Sequence, residues 1–110
     1  MEHPQKMKKI DHIIRYAETS EKAIEKYLSE RVKEIGGLSL KFTNQNMVGF
    51  PDRLICLPGG KTVWVELKSK GKKPTKIQIL RQEELAGLGF DVYIIDNKPA
   101  IDELINHWRI

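Results

Sequence analysis

The sequence predicts an α/β domain, a central mixed sheet flanked by helices in the order αβββαβα. Three observations predict it: apolar stripes at helical spacing in three separate segments, two apolar β segments joined by Pro58-Gly59-Gly60-Lys61, and a short apolar run, Val92 to Ile95, lying between the last two helical stripes. At 110 residues the chain suits one domain with a single core. Residues 20–110 form that domain, and residues 1–19 are an extension.

Each element has its own signal. Ile10, Ile13, Ile14 and Ala17 suggest a short helix in the extension, ended by Thr19 and Ser20, which offer a new N-cap. From Glu21 a stronger helix carries Ile24, Leu28, Val32 and Ile35 on one stripe, and Gly36-Gly37 stops it. Leu38, Leu40 and Phe42 alternate with Ser39, Lys41 and Thr43, the pattern of a strand with one buried face. Asp52 to Leu57 and Thr62 to Lys68 then form a hairpin around the Pro-Gly-Gly turn. Thr75-x-x-Gln78 is a capping box behind Pro74, opening a helix with Ile77, Leu80, Leu85 and Leu88 that ends at Gly89. Val92 to Ile95 reads as a buried fourth strand. After Pro99, Ile101, Leu104, Ile105 and Trp108 define the last amphipathic helix.

Composition narrows the function classes. No apolar run reaches membrane-spanning length, and the basic N-terminus lacks the apolar core of a signal peptide, so a cytoplasmic protein is expected, a viral or phage product among the candidates. Cys56 is the sole cysteine, which excludes an intrachain disulfide and a cysteine-rich zinc site; His3, His12 and His107 are too scattered to be ligands together. The formal net charge is +4, and Lys68, Lys70, Lys72, Lys73 and Lys76 crowd one stretch around Gly71 and Pro74. Such clustering suits a polyanion, although charge alone favours a solvated loop.

The hairpin carries the chemistry. Centred on Gly59, it sets Leu54 opposite Trp64 and Asp52 opposite Glu66, with Lys68 on the same face because side chains alternate along a strand. The other face carries Ile55, Leu57, Val63, Val65 and Leu67, while the acidic face also holds Leu54, Cys56 and Trp64. Strands apolar on both sides belong at the centre of a sheet, so the two acids would stand at the edge of a core, where they repel and are desolvated. An oxygen-seeking divalent cation, Mg²⁺ or Mn²⁺, would compensate them. Alternatively Asp52 caps the bend after Pro51 and Glu66 simply pairs with Lys68.

Gly49-Phe50-Pro51-Asp52 followed by Val65-Glu66-Leu67-Lys68-Ser69 resembles the PD-(D/E)xK nuclease superfamily, and the further basic loop and Gln78 resemble its VRR-NUC family of virus-type replication and repair nucleases. The resemblance spans about Glu21 to Ile95. It implies a restriction-endonuclease-like fold and a metal-dependent DNA endonuclease leaving 5′-phosphates. Asp52, Glu66 and the backbone carbonyl of Leu67 become metal ligands, Lys68 the catalytic lysine and Gln78 an active-site residue. The family also places an acid on the first helix: Glu21 suits it better than Glu25, being centred on the inner stripe, and would reach the metal through water. Lys41, Lys70, Lys72, Lys73 and Lys76 become DNA contacts. Compact members of the family imply a homodimer acting on four-way junctions. The competing readings are a monomeric flap or nicking nuclease, a sequence-specific restriction-type enzyme, and a non-catalytic DNA-binding module on the same fold.

Overall fold

A computed structural model describes residues 20–109, so the expected helix over Ile10 to Ala17 lies outside the described residues. The elements are α1 (Glu21–Glu34), β1 (Leu38–Lys41), β2 (Arg53–Leu57), β3 (Lys61–Leu67), α2 (Lys76–Gly87), β4 (Asp91–Ile95) and α3 (Lys98–Trp108). This is the αβββαβα order that the periodicities imply. The four strands form one mixed sheet in the order β1-β2-β3-β4, antiparallel except for the parallel β3–β4 pair. A parallel neighbour requires a crossover, and α2 supplies it.

Local chemistry starts and stops the helices. Ser20 caps α1 by accepting the Ala23 N–H at 3.2 Å, and Gly36, at φ +84°, takes the left-handed position past its end. The side chain of Asn97 caps α3 through the Ala100 N–H at 2.8 Å. Between β2 and β3, Gly59 and Gly60 both have positive φ, which lets a three-residue turn reverse the chain.

The core lies on one face of the sheet. Ile24, Leu28 and Val32 of α1 and Ile101, Ile105 and Trp108 of α3 pack on Ile55, Leu57, Val63, Val65, Leu67 and Ile95. Asp102 of α3 accepts the Tyr27 hydroxyl of α1 at 2.5 Å, tying the two helices together at their rim. The opposite face is thinner. There α2 lies over Trp64, whose ring meets Phe42 edge-on with centroids 4.9 Å apart, and Arg81 sits 5.4 Å over Phe50.

Burial corrects three expectations. Leu38 and Leu40 are 62% and 45% exposed, so β1 has no buried face, and only Phe42 just beyond it reaches the aromatic cluster. The reason is tertiary: α2 packs on the sheet chiefly at β4, the opposite edge, and leaves the β1 edge uncovered. Of the four residues expected on the inner stripe of α2, only Leu85 is buried. In β4 only Ile95 is buried, because that strand forms the other edge of the sheet. Among the described residues no helix is long and apolar enough to cross a membrane.

Candidate active site

The hairpin register is the one expected, with Leu54 opposite Trp64 and Cys56 opposite Thr62. The regular ladder ends at Arg53 and Val65, so Asp52 lies one residue before β2 rather than inside it. It is held across the gap by its own side chain: Oδ1 of Asp52 accepts the Leu67 N–H at 3.1 Å. Beside β1, its backbone carbonyl accepts the Phe42 N–H at 2.9 Å. Asp52 is thereby fixed between the two neighbouring strands, and the Pro51 before it is buried.

Glu66 stands in the central strand and is 4% exposed, the sole buried charged side chain among the described residues. Its Oε2 accepts a hydrogen bond from Gln78 Nε2 at 3.1 Å and lies 3.4 Å from Lys68 Nζ. Its Oε1 is buried and has no partner. Burial first, and then the negative charge of Asp52, push the Glu66 carboxyl up to about 7, while Lys68 pulls the other way. Burial also raises Asp52, opposed by the Leu67 N–H and reinforced by the charges of Glu21 and Glu25. Two carboxyls that both resist ionisation in each other's presence form a site that favours a cation.

Gln78 does two things at once. Its side-chain oxygen accepts the Thr75 N–H at 2.9 Å while its own backbone N–H donates to Thr75 Oγ1 at 3.3 Å, completing the capping box. The amide nitrogen left over by that geometry is the group that reaches Glu66. Capping thus aims the side chain, and α2 is anchored to the site by its first turn.

The two helix acids separate. Glu25 is engaged by Arg53, whose Nη2 and Nε donate to the same carboxylate oxygen at 2.6 and 3.1 Å, and Arg53 Nη1 also donates to the Ser39 carbonyl. Glu21 sits exposed in the first turn of α1, close enough for its charge to raise both Asp52 and Glu66. It overhangs the site from the helix end instead of lying buried in the stripe. Arg53 is a site residue that sequence reasoning misses. A signal for it exists: a basic residue next to Asp52, on the helix-facing side of β2, meets Glu25 one turn beyond Glu21.

The lysine-rich stretch forms an exposed turn between β3 and α2. Lys72 N–H donates to the Ser69 carbonyl at 3.0 Å, and Gly71 N–H donates to Asp96 Oδ2 at 3.2 Å, docking the turn on the end of β4. Lys70, Lys72, Lys73 and Lys76 are all exposed there. Lys41 is exposed at the end of β1, opposite Arg53.

Whether the residues suit a metal can be judged from the donor set. Two carboxylates from neighbouring strands converge, and one has a buried oxygen lacking any donor, a charge that a cation would satisfy. Among the described residues no three His, Cys, Asp or Glu side chains gather into a complete cage. That set suits Mg²⁺ or Mn²⁺, which keep several waters and need only one or two carboxylates, and its all-oxygen donors do not suit a soft metal.

No family model matches this chain. It is 42% identical over 78 residues to "Putative nuclease p44" of Acyrthosiphon pisum secondary endosymbiont phage 1, an alignment covering 71% of this chain and 84% of the phage protein. A solved structure of a VRR_NUC domain superposes with a TM-score of 0.76 at 33% identity, over 82% of this chain and 98% of that domain. With sequence and fold agreeing over most of its length, the chain belongs to the VRR-NUC family of nucleases.

Proposed function

We propose that this nuclease is a divalent-metal-dependent DNA endonuclease acting on branched DNA, four-way junctions foremost, as a homodimer inside the cell. Residues 20–110 are its nuclease domain and 1–19 an extension. The observation that carries the metal dependence is the pair of opposed acids, Asp52 and Glu66, with a buried Glu66 oxygen lacking a donor and Lys68 alongside.

Asp52, Glu66 and the carbonyl of Leu67 would hold Mg²⁺ or Mn²⁺, with Glu21 assisting through water. The ion, when bound, supplies the positive charge that activates water and neutralises the scissile phosphate. The chain's own residues do the rest. Asp52 is immobilised by the Leu67 N–H and Glu66 by the Gln78 amide, so both acids are set before substrate arrives. Lys68, one residue past the end of β3 with its Nζ 3.4 Å from Glu66 Oε2, would orient the attacking water or stabilise charge on the pentacovalent phosphorus. Lys41, Lys70, Lys72, Lys73 and Lys76 flank these residues and hold the phosphate backbone.

A four-way junction needs two cuts and each chain carries one such acid pair, which is the reason for a dimer. The test is cleavage of labelled four-way, flap and linear duplex DNA in Mg²⁺ or Mn²⁺ by the native protein, Glu66→Ala and Lys68→Ala. Junction cutting with 5′-phosphate ends, lost in both variants and in chelator, is the expected result. Binding without cutting under every condition would sink it. Sedimentation of the native protein reads the dimer.

A further inference from the structure

The loop between β1 and β2 ends in an apolar tip that the reaction does not use. Met47 and Val48 are 44% and 63% exposed, although they lie only a few residues before Asp52. The tip is not slack. Asn44 Oδ1 accepts the backbone N–H groups of both Asn46 (2.9 Å) and Met47 (3.2 Å), forming a side-chain-stabilised turn, and the Val48 carbonyl accepts Arg81 Nε at 2.9 Å. Gly49, at φ +93°, then presses its backbone against Ile77: a Cβ there would lie 2.9 Å from the Ile77 side chain. Ile77 precedes Gln78, which bonds Glu66. The tip is therefore braced on the same turn of α2 that bonds Glu66.

Two exposed apolar side chains on a braced loop are costly in water, and here they adjoin further exposed carbon at Ile77 and Leu80. Around them the chain is basic: Lys72, Lys73 and Lys76 precede Ile77, and Arg81 follows it. Apolar surface braced against the helix that follows an exposed lysine-rich turn, and next to a phosphodiester-cutting centre, matches nucleic acid whose bases are unstacked. The lysines take the phosphates, and the carbon takes the face of a base freed at a strand discontinuity.

We propose that Met47 and Val48 form a wedge that enters DNA at a branch point and keeps a base unstacked beside the metal-binding acids. This rests on the nuclease reading above and deepens it by naming how a discontinuity is recognised. Intact duplex offers no opening for such a tip, so the wedge supplies preference for branched over linear DNA, while the lysines supply affinity for both.

The probe is a four-way junction with 2-aminopurine at the branch, against the same base in continuous duplex, with Ca²⁺ replacing Mg²⁺ to hold the complex. Native protein should raise the junction fluorescence severalfold and leave the duplex signal flat. Met47→Ser/Val48→Ser should lose that rise and keep its duplex affinity. The solvent exposure of both residues leaves the fold intact, which a thermal melt confirms. An equal rise in the double variant, or no rise with native protein that still cuts junctions, overturns the wedge. So does a native dimer that the double variant converts to monomer, since the tip would then be a contact between copies. Native protein that neither binds nor cuts DNA overturns the nuclease reading itself.

Discussion

At the scale of single residues the site turns on Glu66. Its carboxyl is raised from 4.5 to about 7, so the folded chain holds that proton more tightly than the unfolded one. The stabilisation is complete below the ordinary glutamate range and is lost as the pH climbs through about 7. Metal-free protein should therefore melt at a lower temperature at pH 8 than at pH 5.5, the Glu66 share amounting to at most about 2 kcal/mol. Glu66→Gln keeps the shape and removes the charge. It should flatten that pH dependence, melt above the native protein at pH 8 without metal, and abolish stabilisation by added Mn²⁺. Calorimetric scans across pH with and without Mn²⁺ check all three, and a Glu66→Gln variant that Mn²⁺ still stabilises would remove Glu66 from the ligand set. The hairpin register next to the acids is legible from strand alternation and one turn, whereas their pairing as a site is suggested by spacing only together with the motif resemblance. The Glu25–Arg53 pair is not legible, since helix geometry ranks Glu25 only by angle and says nothing of which cation the sheet brings to it.

At the scale of elements, α2 is the clearest case of sequence and structure dividing the work. Its start is readable in Thr75-x-x-Gln78, and the observed capping box is the reason Gln78 faces Glu66. Thr75→Ala should cost about 1 kcal/mol of stability and slow cleavage beyond what that loss explains, which thermal melts and single-turnover rates together reveal. Its inner face is not readable, because Ile77, Leu80 and Leu88 fit a helical stripe whether or not anything lies beneath them. Gly49 shows the opposite situation, a requirement hidden in the sequence. Its φ is +93°, and the Ile77 side chain lies 2.9 Å from where any added Cβ would stand. Gly49→Ala should therefore destabilise by about 2–3 kcal/mol. It should also depress metal affinity, since the loop it strains leads directly to Asp52. Unchanged Mn²⁺ binding in that variant would show that the loop and the acid are uncoupled.

At the scale of the whole molecule, two helices build the core on one face of the sheet while a third packs beside β4 and reaches Glu66 through Gln78. Glu66 thus stands in the covered centre of the sheet and Asp52 just before β2, both buried enough for their charge to matter. Exposed lysines crowd the turn between β3 and α2, and Lys41 is exposed at the far edge of the sheet, at the end of β1. Log affinity for duplex DNA should fall linearly with log salt concentration. Replacing Lys72 and Lys73 by alanine should lower that slope by about 2 if each meets one phosphate, leaving the cutting rate at saturating DNA unchanged. Titrations at several salt concentrations measure it, and an unaltered slope would make the turn plain solvated surface.

The sequence by itself determined what local physics controls: the order of elements, the hairpin register from Arg53–Val65 to the Gly59 turn, and the capping box at Gln78. Each depends on neighbours in the chain, through periodicity, a glycine turn or a backbone donor three residues away. Only the tertiary structure decided how far α2 covers the sheet, which leaves Leu38 and Leu40 in water, which acid Arg53 takes, and that Gly49 must be bare. Those follow from contacts between segments distant in the chain, where packing and charge pairing select among arrangements that local pattern leaves equal.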